Sequence, residues 1–393
     1  MNMSTLTKRA AAVAVLMCGI FPYVATAAQC PNISDPTHLK IESWPNFGFS
    51  YVPRQALSPE NAERYDLDIE VVELFNVGQK EVGMKKCLFD VTLSGVEVLS
   101  GLVKWEAELK ADSKDGLELL PSHAELVWAN GNRLQQALVG KAGSKFDLST
   151  LSGNTIAVTR IDEGGMLASS GPLGPGNPAH PVEVLGAMLR ETFPGVRVWL
   201  GQKDSDQATA KDKEETIYLV GMRKSSARQV ALEKGVVQFA MLSYERAIRL
   251  ADTGYSIMVA PNQWPTTPHM AALVWADNLE DPIFRAKIER LIQLLTDAAS
   301  KPVDSMISDV MSEVTENSKS FLGSLRVSDD KSVILLDPTR SRVTRLVEMW
   351  DAGNGCFKRD GLENLATWLR LPPVPSDPEA KVSFLSELAV ICE

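Results

Sequence analysis

The chain has 393 residues, 45% of them hydrophobic and 23% charged, and its formal net charge is −10 at pH 7. That length and apolar content are enough to bury one or two sizeable cores. The acidic balance, with no cluster of Lys and Arg, argues against nucleic acid as a partner, because neutralising phosphates requires a basic face.

The N-terminus has the pattern of a cleaved secretory signal. Lys8 and Arg9 precede an apolar run from Ala10 to Val24, and the Ala-Thr-Ala at 25–27 supplies the small residues that cleavage requires. A membrane anchor is the alternative reading, but a glycine and a proline break the run, which is short for a span. We therefore expect residues 1–27 to be a signal peptide and the protein to be exported.

The first part of the chain alternates strand and helix patterns. The sequence predicts strands at 39–43, 68–74, 88–93 and 125–128, and helices at 59–65 and 79–86. A polar insert at 110–119 separates the last of these strands from the others. This order predicts a doubly wound β-α-β-α-β opening.

A similar rhythm recurs after residue 147. The sequence predicts strands at 154–158, 196–200 and 215–220, and helices at 181–191 and 225–233. Residues 255–259 are expected to return the chain to the first half, and residues 282–299 have strong helical periodicity. Beyond Pro302 we expect helices at 341–350 and 362–369, a proline-rich stretch at 371–375 and a last helix toward Cys392.

Several stretches together resemble a known family. They are the opening strand with its aromatic turn, DLSTLSGNTIAV, ALEKGVVQFAMLSYE and DPIFRAKIERLIQLLTDAA, and they extend over residues 39–299. The chain is similar here to the periplasmic substrate-binding proteins of the nitrate, sulfonate, taurine and thiamine-pyrimidine type that serve ABC transporters. The resemblance implies an α/β, two-lobed periplasmic binding protein type II fold with a C-terminal helical extension.

The resemblance also implies a division of the chain. After the signal peptide, residues 28–146 would form the first part of lobe 1 and residues 147–250 would form lobe 2. Residues 251–301 would return to lobe 1, and residues 302–393 would be a C-terminal extension, mostly helical. Two passages between the lobes would make a hinge, so that the lobes can close around a ligand.

Ligand contacts are expected in the loops that follow strands. In open α/β folds, ligands lie outside the carboxyl ends of the strands, where helix N-termini present backbone N–H groups. The residues that this rule selects are Trp44, Asn46, Phe47, Gly48, Phe49, Ser94, Gly95, Trp128, Thr159, Arg160, Glu163, Gly164, Gly165, Ser243, Tyr244 and Glu245.

The charge of the ligand stays open at this point. Arg160, directly after a strand, favours a small organic anion such as a sulfonate or carboxylate, and glycines at 164–165 would let an anion approach bare N–H groups. Alternatively, an aromatic cage would hold a cationic amine. Its members would be Trp44, Trp128, Tyr244 and Trp264.

The cysteine count indicates disulfides. Removal of the signal leaves Cys30, Cys87, Cys356 and Cys392, and an even number in an exported protein is typical of disulfide pairing. Three pairings are open from the sequence. The resemblance places the first and third strands side by side, which implies Cys30 with Cys87 and leaves Cys356 with Cys392. Without a CxxC motif, and with four isolated histidines, we expect no metal site and no cofactor.

No catalytic motif stands out. The chain lacks GxSxG, HExxH, GxxxxGK[ST] and a GxGxxG after a strand, so we expect no enzyme. The favoured function is a monomeric periplasmic protein that captures a small molecule and presents it to an inner-membrane ABC permease. A ligand sensor or interaction protein that uses the extension to contact a membrane partner is the alternative. A secreted enzyme on the same fold is the third reading.

Overall fold

The computed structural model describes part of the chain. The described residues are 35–43, 56–74, 77–96, 98–99, 101–103, 124–129, 131–159, 171–172, 180–203, 206, 209–222, 224–302, 304–305, 307–308, 344, 355–369 and 371–392. The predicted signal peptide, Cys30, the aromatic turn after the first strand and most of the predicted helix at 341–350 lie outside them.

The secondary structure follows the alternation that the sequence predicts. The strands are β1 His38–Ser43, β2 Asp68–Glu73, β3 Val91–Thr92, β4 Ala124–Ala129, β5 Gln136–Gly140, β6 Thr155–Val158, β7 Gly171–Pro172, β8 Arg197–Leu200, β9 Thr216–Gly221, β10 Phe239–Ser243, β11 Ser256–Val259, β12 Ala271–Trp275, β13 Phe357–Lys358 and β14 Ile391–Cys392. The α-helices are α1 Pro59–Glu63, α2 Val77–Lys85, α3 Leu148–Leu151, α4 His180–Thr192, α5 Ala210–Glu214, α6 Ser225–Glu233, α7 Tyr244–Asp252, α8 Pro282–Ala299 and α9 Arg359–Leu369.

The first sheet has the strand order β2-β1-β3-β12-β4. Strand β1 is parallel to both β2 and β3, whereas β12 returns late in the chain and is antiparallel to β3 and β4. The predicted β-α-β-α-β opening is therefore confirmed. We call this sheet and the helices packed on it the first lobe.

The second sheet has the order β11-β5-β10-β6-β9-β8-β7. Its centre is parallel, and β5 is antiparallel to both β10 and β11. The strands of this second lobe run from residue 136 to residue 259, beyond both ends of the predicted 147–250 range. Residues 255–259, expected to return the chain to the first lobe, instead supply β11. A short apolar strand carries no local sign of the sheet that it joins, so its pairing depends on the tertiary structure.

Helix α8 buries the first sheet on one face. Its apolar side chains Phe284, Ile288 and Leu291 pack in one cluster with Leu39 and Ile41 of β1. Asp281 is its N-cap and accepts hydrogen bonds from the backbone N–H groups of residues 283 and 284, and a proline occupies the first helical position. These local signals explain why its bounds coincide with the prediction.

The extension packs on the other face of the first lobe. Helix α9, predicted at 362–369, places Leu362 and Leu365 in a cluster with Leu126 of β4 and Leu273 of β12. The last helix predicted toward Cys392 is wrong, because residues 371–392 form turns and the strand β14, which pairs with β13. The tail is extended there because it pairs with its neighbours: the N–H of Leu126 donates to the carbonyl of Phe384, and the N–H of Phe357 donates to the carbonyl of Val390.

A disulfide joins Cys356 to Cys392, as expected from the family resemblance. Cys87 is also disulfide-bonded, and its predicted partner Cys30 lies outside the described residues. The Cys30–Cys87 pairing therefore stays a prediction. In the part of the chain that the structure describes, no helix combines the length and hydropathy that a bilayer span requires.

Candidate functional site

Two adjacent segments connect the lobes. The first crossing, residues 131–135, leads from β4 to β5, and the second crossing, residues 260–270, leads from β11 to β12. The backbone N–H groups of Thr267 and His269 donate to the carbonyls of Asn132 and Gly131, at 2.8 and 3.2 Å. The crossings thus form a hydrogen-bonded ribbon, and any change in the angle between the lobes acts through it.

Strands β1 and β3 end on the side of the first sheet from which both crossings leave. We call the side of each sheet on which its parallel strands end the carboxyl edge, or simply the edge. Ser94, directly after β3, forms a bridge with Ala271, the residue at which the second crossing enters β12. A β-carbon on Gly95 would stand 2.4 Å from the carbonyl oxygen of Ala271, so only glycine fits this close approach. The predicted residues Ser94 and Gly95 therefore lie at this edge.

A buried polar cluster lies at the same edge. Lys80 of α2 places its Nζ 2.9 Å from Oε1 of Glu42 and donates to Oγ of Ser94 at 2.6 Å. The hydroxyl of Thr92 donates to Oε2 of Glu42 at 2.5 Å. All four side chains are buried, and Lys80 and Glu42 are 0% exposed. The charges of the ammonium and the carboxylate compensate one another, which makes their burial tolerable.

The second sheet presents its own carboxyl ends to the crossings. Ser243 at the end of β10 pairs with Gln136, the residue at which the first crossing enters β5. The parallel neighbour β6 ends at Val158, just before Thr159. Helices α6 and α7 begin at this edge, where the backbone N–H of Ser243 donates to Oγ of Ser225 at 3.1 Å.

Two buried arginines lie in the first turns of those helices, where the helix dipole is also positive. Arg228 of α6 donates to the carbonyls of Met241 and Met222, at 2.5 and 2.7 Å, where β10 and β9 end. Arg246 of α7 donates to Oε1 of Gln229 at 3.0 Å. Burial, and then the charge of Arg246, lower the pKa of Arg228 to about 9, so it stays protonated at neutral pH. Two guanidinium groups and the buried carboxyl of Glu245 therefore lie in the first turns of these helices.

The structure brings several predicted ligand-binding residues to one junction. Ser94 and Gly95 lie on the first edge, and Thr159, Ser243, Tyr244 and Glu245 lie on the second, each edge adjoining the two crossings. The remaining predicted residues, apart from Trp128, lie outside the described part of the chain: Trp44, Asn46, Phe47, Gly48, Phe49, Arg160, Glu163, Gly164 and Gly165.

The side chain of Trp128 is buried in the protein interior. It is 1% exposed in the core of the first lobe, and its indole N–H donates to Oγ1 of Thr296 at 3.1 Å. Trp264 is 2% exposed in a core of the second lobe and donates to the carbonyl of Gln136 at 2.6 Å. These two indoles are enclosed in different cores, which argues against the cage expected for a cationic amine.

Sequence reasoning missed the charged residues behind both edges. Glu42 carried no local signal of burial, because β1 alternates polar and apolar residues and Glu42 shares a face with the half-buried Lys40. Lys80, Arg228 and Arg246 lie on helices in ordinary polar surroundings of the sequence, and nothing local marks them as buried. Among the described residues, no group of three or more His, Cys, Asp or Glu is placed to hold a metal ion.

His269, in the second crossing, should make the stability of the fold decrease in mild acid. This side chain is 8% exposed, and burial lowers its pKa to about 4. Between pH 6.5 and 4 the unfolded chain therefore binds a proton that the folded protein does not, and stability falls as the pH is lowered. We expect this histidine to remove about 2 kcal/mol of the free energy of unfolding between pH 7 and pH 5.

Urea unfolding of the wild type and of His269→Gln at the two pH values measures this contribution. The glutamine variant should lose less stability on acidification, because the neutral amide does not titrate. An equal loss in both proteins would show that other groups carry the acid sensitivity.

Comparison with known proteins identifies the fold. No protein-family model matches the chain, and no curated protein matches it. The ligand-binding component of an ABC-type import system from Staphylococcus aureus, solved with zinc bound, aligns over 86% of this chain and 94% of its own. Its sequence identity is 11% and the TM-score is 0.53. The chain therefore has the two-lobed α/β fold of the periplasmic binding proteins, as its sequence predicts.

More distant matches include two anion-binding proteins. The alkanesulfonate-binding protein SsuA from Xanthomonas axonopodis pv. citri, bound to MOPS, aligns over 80% of this chain and 85% of its own, with 13% identity and a TM-score of 0.47. The periplasmic nitrate-binding protein NrtA from Synechocystis PCC 6803 aligns over 69% of this chain and 65% of its own, with 10% identity and a TM-score of 0.43.

Proposed function

We propose that this protein captures a small solute between its two lobes and delivers it to an ABC-type importer. One observation carries the proposal: the carboxyl edges of both sheets adjoin the same pair of crossings. Loops and helix starts from the two lobes then line one cleft, the place where open α/β folds bind ligands. Capture needs no covalent chemistry, since a ligand that binds the closed form more tightly shifts the lobes toward closure.

A small organic anion, sulfonate or carboxylate in type, is the proposed ligand class. Arg228 and Arg246 supply two buried positive charges behind the second edge, and the starts of α6 and α7 add their partial charges. Ser94, Gly95, Thr159 and Ser243 are the proposed neutral contacts on the two edges.

The fold and the N-terminal sequence support a proposal for the setting of this activity. We propose a monomeric protein, exported through its signal peptide to the periplasm, with an inner-membrane permease as its partner. No enzymatic step is assigned to it.

Native mass spectrometry of the purified protein tests the capture function directly. We expect one small molecule per chain, released on denaturation and identifiable as an anion. A thermal-shift panel of ethanesulfonate, succinate and choline gives an independent reading of charge preference, with stabilisation by one of the anions and none by choline.

A pair of variants separates local from general effects of charge. Arg246→Gln should abolish the thermal shift by the anion, whereas Arg249→Gln, one turn further along α7, removes the same charge and should keep it. An empty protein that responds to none of the three probes would contradict the proposal. Stabilisation by choline alone would contradict the assigned ligand class.

A ligand sensor on the same fold is the second candidate. The observation that favours it is the extension, which contacts both lobes and the crossings and would therefore register their movement. Transport and sensing predict different defects in a cell that carries Arg246→Gln. Loss of uptake of the identified anion indicates transport, whereas intact uptake with a lost transcriptional response indicates sensing.

A further inference from the structure

We propose that residues 355–369 and 371–392 form a brace that spans the junction and restrains the relative movement of the lobes. The inference depends on the two-lobed fold and not on the identity of any ligand. Its support lies in three sets of contacts: with the first lobe, with the crossings and with the second lobe.

The brace is fixed to the first lobe by burial and by hydrogen bonds. Leu365 and Leu369 of α9 and Leu385 of the tail share a buried cluster with Leu126 of β4. The backbone N–H of Leu126 donates to the carbonyl of Phe384, and its carbonyl accepts from the N–H of Ser386, both at 3.0 Å. The tail therefore pairs with β4, the outermost strand of the first sheet, and moves with that lobe.

The brace also forms hydrogen bonds with both crossings. Asn132 of the first crossing is fully buried, donates from Nδ2 to the carbonyl of Cys356 and accepts from the N–H of Lys358, both at 3.1 Å. Asn364 of α9 donates to the carbonyl of Thr266 in the second crossing at 2.8 Å. A β-carbon on Gly361 would come within 3.2 Å of Cγ2 of Thr266, so α9 lies directly against that crossing.

The end of α9 reaches the second lobe. Trp368 is 6% exposed and belongs to the buried cluster that contains Leu185 of α4 and Val259 of β11. Its neighbour Leu369, also 6% exposed, belongs to the cluster of the first lobe. Adjacent side chains on one helix therefore pack in cores of different lobes.

This arrangement has a mechanical consequence. Rotation of the lobes about the crossings requires Trp368 to leave the core of the second lobe or α9 to leave the first. The Cys356–Cys392 disulfide closes the segment into a loop and keeps its two ends together during such motion. The brace should therefore narrow the range of interlobe distances in the ligand-free protein.

Pulsed dipolar spectroscopy on the full chain without ligand tests the restraint. Spin labels on ketone-bearing non-natural residues at Val71 and Val236, which are 41% and 67% exposed in the first and second lobe, avoid the disulfide cysteines. Trp368→Ala should broaden the distribution of distances between the two labels. Leu232→Ala removes a buried side chain of the second lobe from a cluster that contains no residue of the brace, and its distribution should stay near that of the wild type.

Asn364→Ala serves as a second variant, because its half-buried side chain can be removed without opening a core. We expect a smaller broadening of the distribution, and circular dichroism checks the folding of each variant. Unchanged distributions in both Trp368→Ala and Asn364→Ala would overturn the proposal, as would equal broadening in Trp368→Ala and Leu232→Ala. Since no ligand enters the measurement, its outcome is independent of the proposed capture function.

Discussion

Replacing Lys80 with methionine should lower the free energy of unfolding by about 3–5 kcal/mol. The substitution leaves the carboxylate of Glu42 at 0% exposure without the ammonium 2.9 Å away. Thr92 still donates one hydrogen bond to that carboxylate, but a single hydroxyl does not offset a buried charge. Ser94 loses its donor as well, so the edge of the first sheet near the proposed ligand should loosen.

Urea unfolding with two companion variants isolates the cause. The double variant Glu42→Gln/Lys80→Met has no buried charge at this pair and should recover much of the loss. Lys86→Met, on an exposed neighbouring position, should change stability by less than about 0.5 kcal/mol. The interpretation fails if the double variant is as unstable as Lys80→Met, because the loss would then come from packing rather than from an uncompensated charge.

Removal of the Cys356–Cys392 disulfide is the second change with a large expected effect. The bond closes a loop with a sequence separation of 36, and loop closure of that size stabilises a fold by about 3–5 kcal/mol through the unfolded chain. We therefore expect Cys356→Ala/Cys392→Ala to lower the free energy of unfolding by about that amount.

Hydrogen exchange measures which residues lose protection when this disulfide is removed. Amides of the first crossing should exchange faster in the double alanine variant, because Asn132 is hydrogen-bonded to the backbone on either side of Phe357. Substitution at Cys87 is the matched control, since it removes a different disulfide in the first lobe. Unaltered exchange at residues 131–135, or an unchanged unfolding midpoint, would contradict the structural role given to this bond.

Local signals in the sequence predicted many of the elements. Helix α8 was predictable to its bounds because an aspartate cap, a proline at the first helical position and a periodic apolar face all lie within the segment itself. Helix α6 was also predicted to its bounds, although its N-cap residue Lys224 makes no capping hydrogen bond, and the alternation of strands and helices in the opening was predictable from each segment in turn. Strand β11 was also a recognisable apolar run, but its place in the second sheet depends on pairing with β5, more than a hundred residues away in the chain.

The candidate site was predictable in part for the same reason. The sequence alone determined that loops after strands carry Ser94, Gly95, Thr159 and Ser243, because the end of a strand is a local property. Only the tertiary structure decided that Lys80 faces Glu42, that Arg228 lies near Arg246, and that Trp128 is enclosed in a core. Capping and periodicity act over a turn or two of chain, whereas burial and charge pairing join side chains that the sequence holds far apart.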